Sequence, residues 1–517
     1  MAGELHVAIE PWGPAPEVVD AAVKAALERA GDGLRLVSVQ PVDDGGEPAE
    51  PRRVRATAYD YRAERAVLLD VPLDGEPVPE PATTVRQPLP SWEEREEAAA
   101  VVEADPELGP ALRDGRLVTY RPMPPLVEDE RPDGTVERTL TVGLRPAGGD
   151  GGDPAHEIVG VRLARREVVR FEGGAPPRSR AGLRVCGLPD ANQPTVSDRA
   201  GAARITVTRD GEVLWRLIAV RPAASSGREG SAVELRGVQY RGTRVLRRAH
   251  VPILNVRYDG NACGPYRDWQ NEESRFAAQG SAPAPGFRLC PSPAKTILES
   301  GDDHGNFAGV AVYVDGEEVV LVSELEAGWY RYVSRWRLHA DGTIKARFGF
   351  GAVSDTCVCE IHHHHAYWRL DFDIGGASDD AVHEFNDPPL PGRPGSWHRL
   401  EHEIRRKRNP GRKRRWRVRD RQTGKGYVLV PGGSDGEADG YGIGDFWALR
   451  YRANQIDDRH TATDTRAGID AFVDGEALTG TNVVVWYVGH FSHDVAHDPH
   501  AAGGGHIVGP TLKPVDW

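Results

Sequence analysis

The sequence predicts a mainly β protein: a large C-terminal antiparallel β-sandwich preceded by two small α+β domains. Two observations point to the sandwich. From about residue 190 onward, short runs of alternating apolar and polar residues dominate, among them ARITVT, EVLWRLIAV, GVAVYV, YRYVSRWRL and TIKARFGF; this period of two belongs to half-buried strands. Asp-Gly pairs at 210–211, 315–316 and 341–342 separate these runs, the strongest short-range hairpin signal. A third observation sets the first third of the chain apart, because helix-period segments occur there and are then followed by strand-like runs.

In the first unit, expected over 1–84, the segment PEVVDAAVKAALERA (16–30) has apolar residues at helical spacing, Pro at its start and Gly31 as its stop. The runs LRLVSVQPV, RRVRATAYDY and RAVLLDVPL follow as strands. The second unit, expected over 85–175, opens at Ser91 with Glu94 three residues on. That is the capping-box spacing, in which each side chain bonds the other residue's backbone N–H. VTYRPM, ERTLTVGL, HEIVGVRLA and REVVRFE then read as strands, and the Gly/Pro-rich GGAPPRSRAG (173–182) reads as a joint to the sandwich, expected over 185–517.

Composition narrows the function classes. The 517 residues are 39% hydrophobic and 27% charged, a globular balance. A net charge of -13 argues against nucleic acid as a bulk partner. No apolar stretch reaches the length of a membrane span, and the opening MAGELHVAIEPWGP shows no pattern of a standard export signal. Five cysteines are too few for a disulfide framework, so a cytoplasmic location is expected. On that basis Cys357 and Cys359 read as buried thiols, with soft metal ligation or a redox pair as the alternative. A Cys263–Cys290 bridge is disfavoured.

The densest chemical feature is CVCEIHHHHAYWRLDFDI (357–374). On a strand His362 and His364 share one face and His363 and His365 the other. Two imidazoles so placed reach one metal ion, and VVVWYVGHFSHDVAHDPH offers His490, His493, His497 and His500 as a third ligand. An imidazole-only set suits copper or zinc.

These segments resemble the copper amine oxidases. HHHHAYWRLD is similar to that family's His-x-His followed by Arg-Leu-Asp, which places its copper ligands on His362 and His364. The third family ligand, seven residues after the Trp of a V-V-W strand, falls on His493. WRVRDRQTGKGYVLVP (416–431), GPTLKPVDW and the two leading α+β units extend the likeness over most of the chain. The resemblance implies a homodimer, with hairpins from the basic run 405–421 reaching across it. It also implies a Tyr near copper oxidised to topaquinone, a carboxylate base, and oxidation of primary amines by O2.

The organic half of that machinery departs from the family. Where the family reads T-x-x-N-Y-D/E, this chain has EAGWYR (326–331), which keeps Tyr330 but replaces the Asn with Trp329 and the acid with Arg331. Trp329 cannot accept a hydrogen bond as Asn can. In WQNEESRF (269–276) Ser274 stands at the family's base position, leaving the adjacent Glu272 and Glu273 as the candidate proton carriers. Tyr258 in NVRYDG matches the family's cofactor-bonding Tyr. A peripheral calcium-like cation is not expected, because Asp371 matches one of its family ligands while Asn482 replaces another.

The expected function is therefore a copper- and O2-dependent oxidoreductase acting on a small-molecule or peptide substrate. Copper would be held by His362, His364 and His493, and the changed surroundings of Tyr330 weigh against topaquinone. A true topaquinone enzyme using Tyr330 and a non-catalytic copper-binding homologue are the two alternatives.

Overall fold

The computed structural model describes residues 3–42, 51–84, 87–131, 136–147, 157–171, 186–189, 201–259, 263–353, 355, 357–376, 380–460, 464–494 and 506–517. The expected joint at 173–182 and the candidate ligands His497 and His500 lie outside the described residues.

Both sequence-predicted helices form, at Pro16–Ala30 and Trp92–Ala104. The first lays Val23 and Ala26 on Val54, Ala56, Val67 and Leu69 of a four-stranded sheet. The second packs Ala98, Val101 and Val102 on Leu140, Val142, Val159 and Val161 of a five-stranded sheet. The strand Leu5–Pro11 departs from the expectation of a first unit spanning 1–84. It pairs in register with Ala202–Arg209, Ile9 opposite Ile205, so Leu5 and Ile9 are buried in the core of the large sandwich.

Two sheets of ten and twelve strands make that sandwich. Asp-Gly turns build its hairpins as expected: Asp210 and Gly211 both have positive φ (51° and 82°), the backbone of a two-residue turn that matches strand twist. The central strands of the ten-stranded sheet run in the order Thr243–Tyr258, His362–Phe372, Val483–His493. The facing sheet places Glu318–Ala327, Tyr330–His339 and Ile344–Ala352 side by side. One core joins both sheets, with Leu254, Ala366 and Val485 from the first meeting Tyr332, Trp336 and Phe348 from the second.

The basic run 405–421 is not a hairpin. Ile404–Arg406 pairs with Phe446–Arg450 in one sheet, whereas Arg415–Asp420 pairs with Asp380–Phe385 in the other. Some of its cations are consumed locally: Arg406 and Arg414 reach Glu384 (2.9 and 3.5 Å), and Lys413 reaches Asp387 (3.0 Å). Other cations of the run, Arg405, Lys407 and Arg421 among them, are exposed.

Glu94 ties the small units together. It completes the capping box with Ser91, accepts two bonds from Arg138 (2.9 and 2.7 Å) and accepts another from Tyr61 of the first unit. The Glu94 carboxylate is fully buried, so losing its charge strands the Arg138 guanidinium. Glu94→Gln is expected to lower unfolding free energy by about 3–5 kcal/mol, measured by denaturant titration.

Candidate metal centre

Strand register builds the site. Tyr258, His362 and His493 stand opposite one another across three adjacent strands, and Val256, His364 and Phe491 form the next row on the same face. Tyr330 and Tyr332 project onto this face from the second sheet. The Tyr330 ring lies 4.6 Å from that of His364 and 5.6 Å from that of His362, and Tyr332 stacks on Tyr330 at 5.4 Å.

The three histidines proposed from sequence come together around His362. Its ring centroid is 5.0 Å from His364 and 4.6 Å from His493. His362 Nδ1 lies 2.7 Å from the Glu360 carbonyl, which takes the ring proton and leaves Nε2 as a lone-pair donor. That Nε2 is 3.0 Å from His493 Nδ1, a separation suited to two neighbouring ligands on one ion at ~2.0–2.1 Å from each. His364 Nε2 is buried without a hydrogen-bond partner. Burial, then the neighbouring imidazoles, hold the His362 pKa down to about 3 and that of His364 well below its ordinary value. Both rings are therefore neutral at physiological pH, the form that binds metal. The donor set fits copper.

Among the described residues, Asp457, Asp458 and His460 also bring ligand atoms within 4.8 Å of one another. Two of the three are held in ion pairs. Arg267 donates to both Asp458 oxygens (3.1 and 3.0 Å), and His460 pairs with Glu229 at 3.0 Å. Likewise Asp371 pairs with Arg369 and Asp373 with Arg244, each at 2.6 Å.

The carboxylates expected to move protons are held elsewhere. Glu272 is paired with Arg95 and Arg121, and Glu273 with Arg221. Arg331 forms a two-pronged pair with Asp303 (2.7 and 3.0 Å), which cancels the charge that it brings beside Tyr330. Trp329 takes a donor's role: its Nε1 donates to the Tyr258 hydroxyl (2.7 Å), which in turn donates to the Tyr330 hydroxyl (2.9 Å).

The group that sequence reasoning missed is Asp268. It is buried and accepts a hydrogen bond from Tyr332, whose oxygen is also 3.4 Å from His364 Nδ1. Burial pushes its pKa up to about 7. Its only sequence signal was its position immediately before the WQN stretch.

Beyond Trp329 opens a cavity of about 320 Å³ between the second small unit and the sandwich, lined by Arg95, Tyr120, Arg121, Glu326, Trp329 and Arg331 among others. Trp329 forms its inner wall, with Tyr330 behind it at a ring distance of 6.3 Å.

The cysteine expectations are corrected. Cys186–Cys359 and Cys263–Cys357 are disulfides, and Cys290 is the buried free thiol. Cys357–Cys359 form a turn of 3-10 helix rather than a strand, so residues two apart point to different sides and each finds its own partner. The two bridges fasten the approach to His362.

No family model matches the chain, and no curated protein matches it in sequence. Solved structures do match. A copper-containing benzylamine oxidase from Hansenula polymorpha superposes with a TM-score of 0.60 at 11% identity, over 99% of this chain and 94% of that one. The Pichia pastoris lysyl oxidase (0.55, 12%, covering 100% and 92%) and an Aspergillus nidulans amine oxidase (0.55, 13%, covering 100% and 91%) agree. The fold is copper amine oxidase-like. At such low identity the likeness carries the architecture alone, and the copper amine oxidase-like scaffold leaves the chemistry to this chain's own residues.

Two measurements follow from this geometry. Non-reducing peptide mapping is expected to recover the 186–359 and 263–357 pairs. For Asp268, the native state keeps a proton between about pH 4 and 7 that the unfolded chain has lost, so stability falls as pH rises through that window. The loss from this group is on the order of 4 kcal/mol. Asp268→Asn in metal-free protein is expected to flatten that decline, read from denaturation midpoints at about pH 5 and 8.

Proposed function

We propose that the protein is a copper- and O2-dependent oxidoreductase in which Tyr330 stays an unmodified tyrosine. The observation that supports it most is the imidazole trio of His362, His364 and His493, with the unpartnered His364 Nε2, set against the buried Tyr258–Tyr330–Tyr332 row. Copper held there would supply one-electron exchange with O2.

The chain's own residues supply the rest. Tyr258 and Trp329 fix the Tyr330 oxygen, and the Tyr332–Asp268 pair stores a proton one hydrogen bond from His364. A pKa near 7 suits proton exchange at physiological pH. The arginine-lined cavity is the access route for a small-molecule or peptide substrate, and Trp329 excludes water from the tyrosine row. Glu272 and Glu273, fastened to arginines, serve as anchors rather than as bases. A homodimer in an oxidising compartment completes the reading, the latter on the strength of the two disulfides.

The test combines peptide-resolved mass spectrometry with oxygen consumption, on protein loaded with copper in air. The Tyr330 peptide is expected to keep its unmodified mass, and His364→Ala is expected to abolish copper-dependent O2 uptake. A gain of two oxygens with loss of two hydrogens at Tyr330 would replace this reading with a topaquinone amine oxidase. Tight copper binding without O2 uptake under any reductant would leave a metal-binding homologue.

A further inference from the structure

A fourth histidine stands beside the trio and comes from the opposite sheet. The short strand Ile507–Val508 pairs with Ile344–Ala352, Val508 opposite Phe348 and Ile507 opposite Gly349. Phe350 N donates to the His506 carbonyl (3.0 Å), which continues the ladder and sets His506 opposite Phe350. Opposed residues of an antiparallel pair project to the same face, and Phe350 faces the metal centre: its ring is 4.6 Å from His364 and stacks on Phe491 at 5.5 Å.

The His506 ring accordingly lies 4.8 Å from that of His493 and 4.8 Å from that of Phe491. Its distance to His493 matches the spacings within the trio, 4.6 and 5.0 Å. His506 thus adds an imidazole from the second sheet beside His493. In the sequence His506 closes the run AAGGGH, which reads as a plain loop.

We propose that His506 is a fourth imidazole ligand of the copper centre, an inference that rests on copper occupying the His362–His364–His493 trio. Copper accepts four nitrogen donors readily. A ligand from the second sheet would bridge the two halves of the sandwich through the metal. It would also take a position otherwise open to solvent, O2 or Tyr330, leaving fewer sites for exchange than a three-histidine centre has.

The experiment compares wild type, His506→Ala, His506→Gln and the distant control His402→Ala, each loaded with copper. It reads the number of coordinated imidazoles from X-ray absorption and pulsed EPR, and copper affinity by competition with a chelator. The expected result is one imidazole fewer in both His506 variants, an altered copper hyperfine splitting and affinity lowered by more than ~10-fold, with His402→Ala unchanged. An unchanged imidazole count in both His506 variants would overturn the inference and leave the proposed oxidoreductase standing. A lost imidazole in a protein that consumes no O2 would support the inference and sink that function. Failure of the wild type to bind copper would overturn both.

Discussion

Register across three central strands is the constraint on which the site depends. Because Tyr258, His362 and His493 are directly opposed, a slip of one residue in the histidine strand would turn His362 and His364 away from the second sheet and bring His363 and His365 in. The packing makes that slip costly. The same strand carries Ala366, Trp368, Leu370 and Phe372, all buried, and any shift that moved the imidazoles would drive these apolar groups to the other face. The metal centre is thus held in place by the hydrophobic alternation beneath it.

Charge neutralisation shapes the rest of the site. Arginine is abundant here, and the structure spends it on the carboxylates that a sequence reading would choose for chemistry. Glu272, Glu273 and Asp371 each face a guanidinium. Asp268 differs because it accepts its hydrogen bond from a neutral phenol, Tyr332. Desolvation therefore prevails over any nearby cation, and its proton affinity rises instead of falling. A partner's identity, more than burial alone, separates an anchoring carboxylate from one suited to proton exchange.

The aromatic row adds a second layer of order. Trp329, Tyr258 and Tyr330 are linked by two hydrogen bonds in sequence, so Trp329, which cannot accept a hydrogen bond as Asn can, is instead integrated as a donor. The two disulfides act on the same region from outside, by tying the turn ahead of His362 to Cys186 and to the segment just after Tyr258. Backbone on both sides of the His362–Tyr258 pair is thereby restrained.

By itself the sequence determined the mainly β class, both long helices, the Asp-Gly hairpins and the strand that carries His362 and His364. Each depends on periodicity or on local turn and cap chemistry, which neighbouring residues carry. It also singled out His493, by the motif spacing of its strand. Only the tertiary structure decided which carboxylates are locked by arginine, that Cys357 and Cys359 bond in different directions, and that the basic run crosses between sheets. It alone brought Asp268 and His506 to the centre. Those outcomes depend on contacts between residues far apart in the chain: Asp268 meets Tyr332 and His506 meets His493 only after two sheets have packed face to face. Local pattern encodes which face a side chain takes, whereas the partner it finds there is set by the packing of the other sheet.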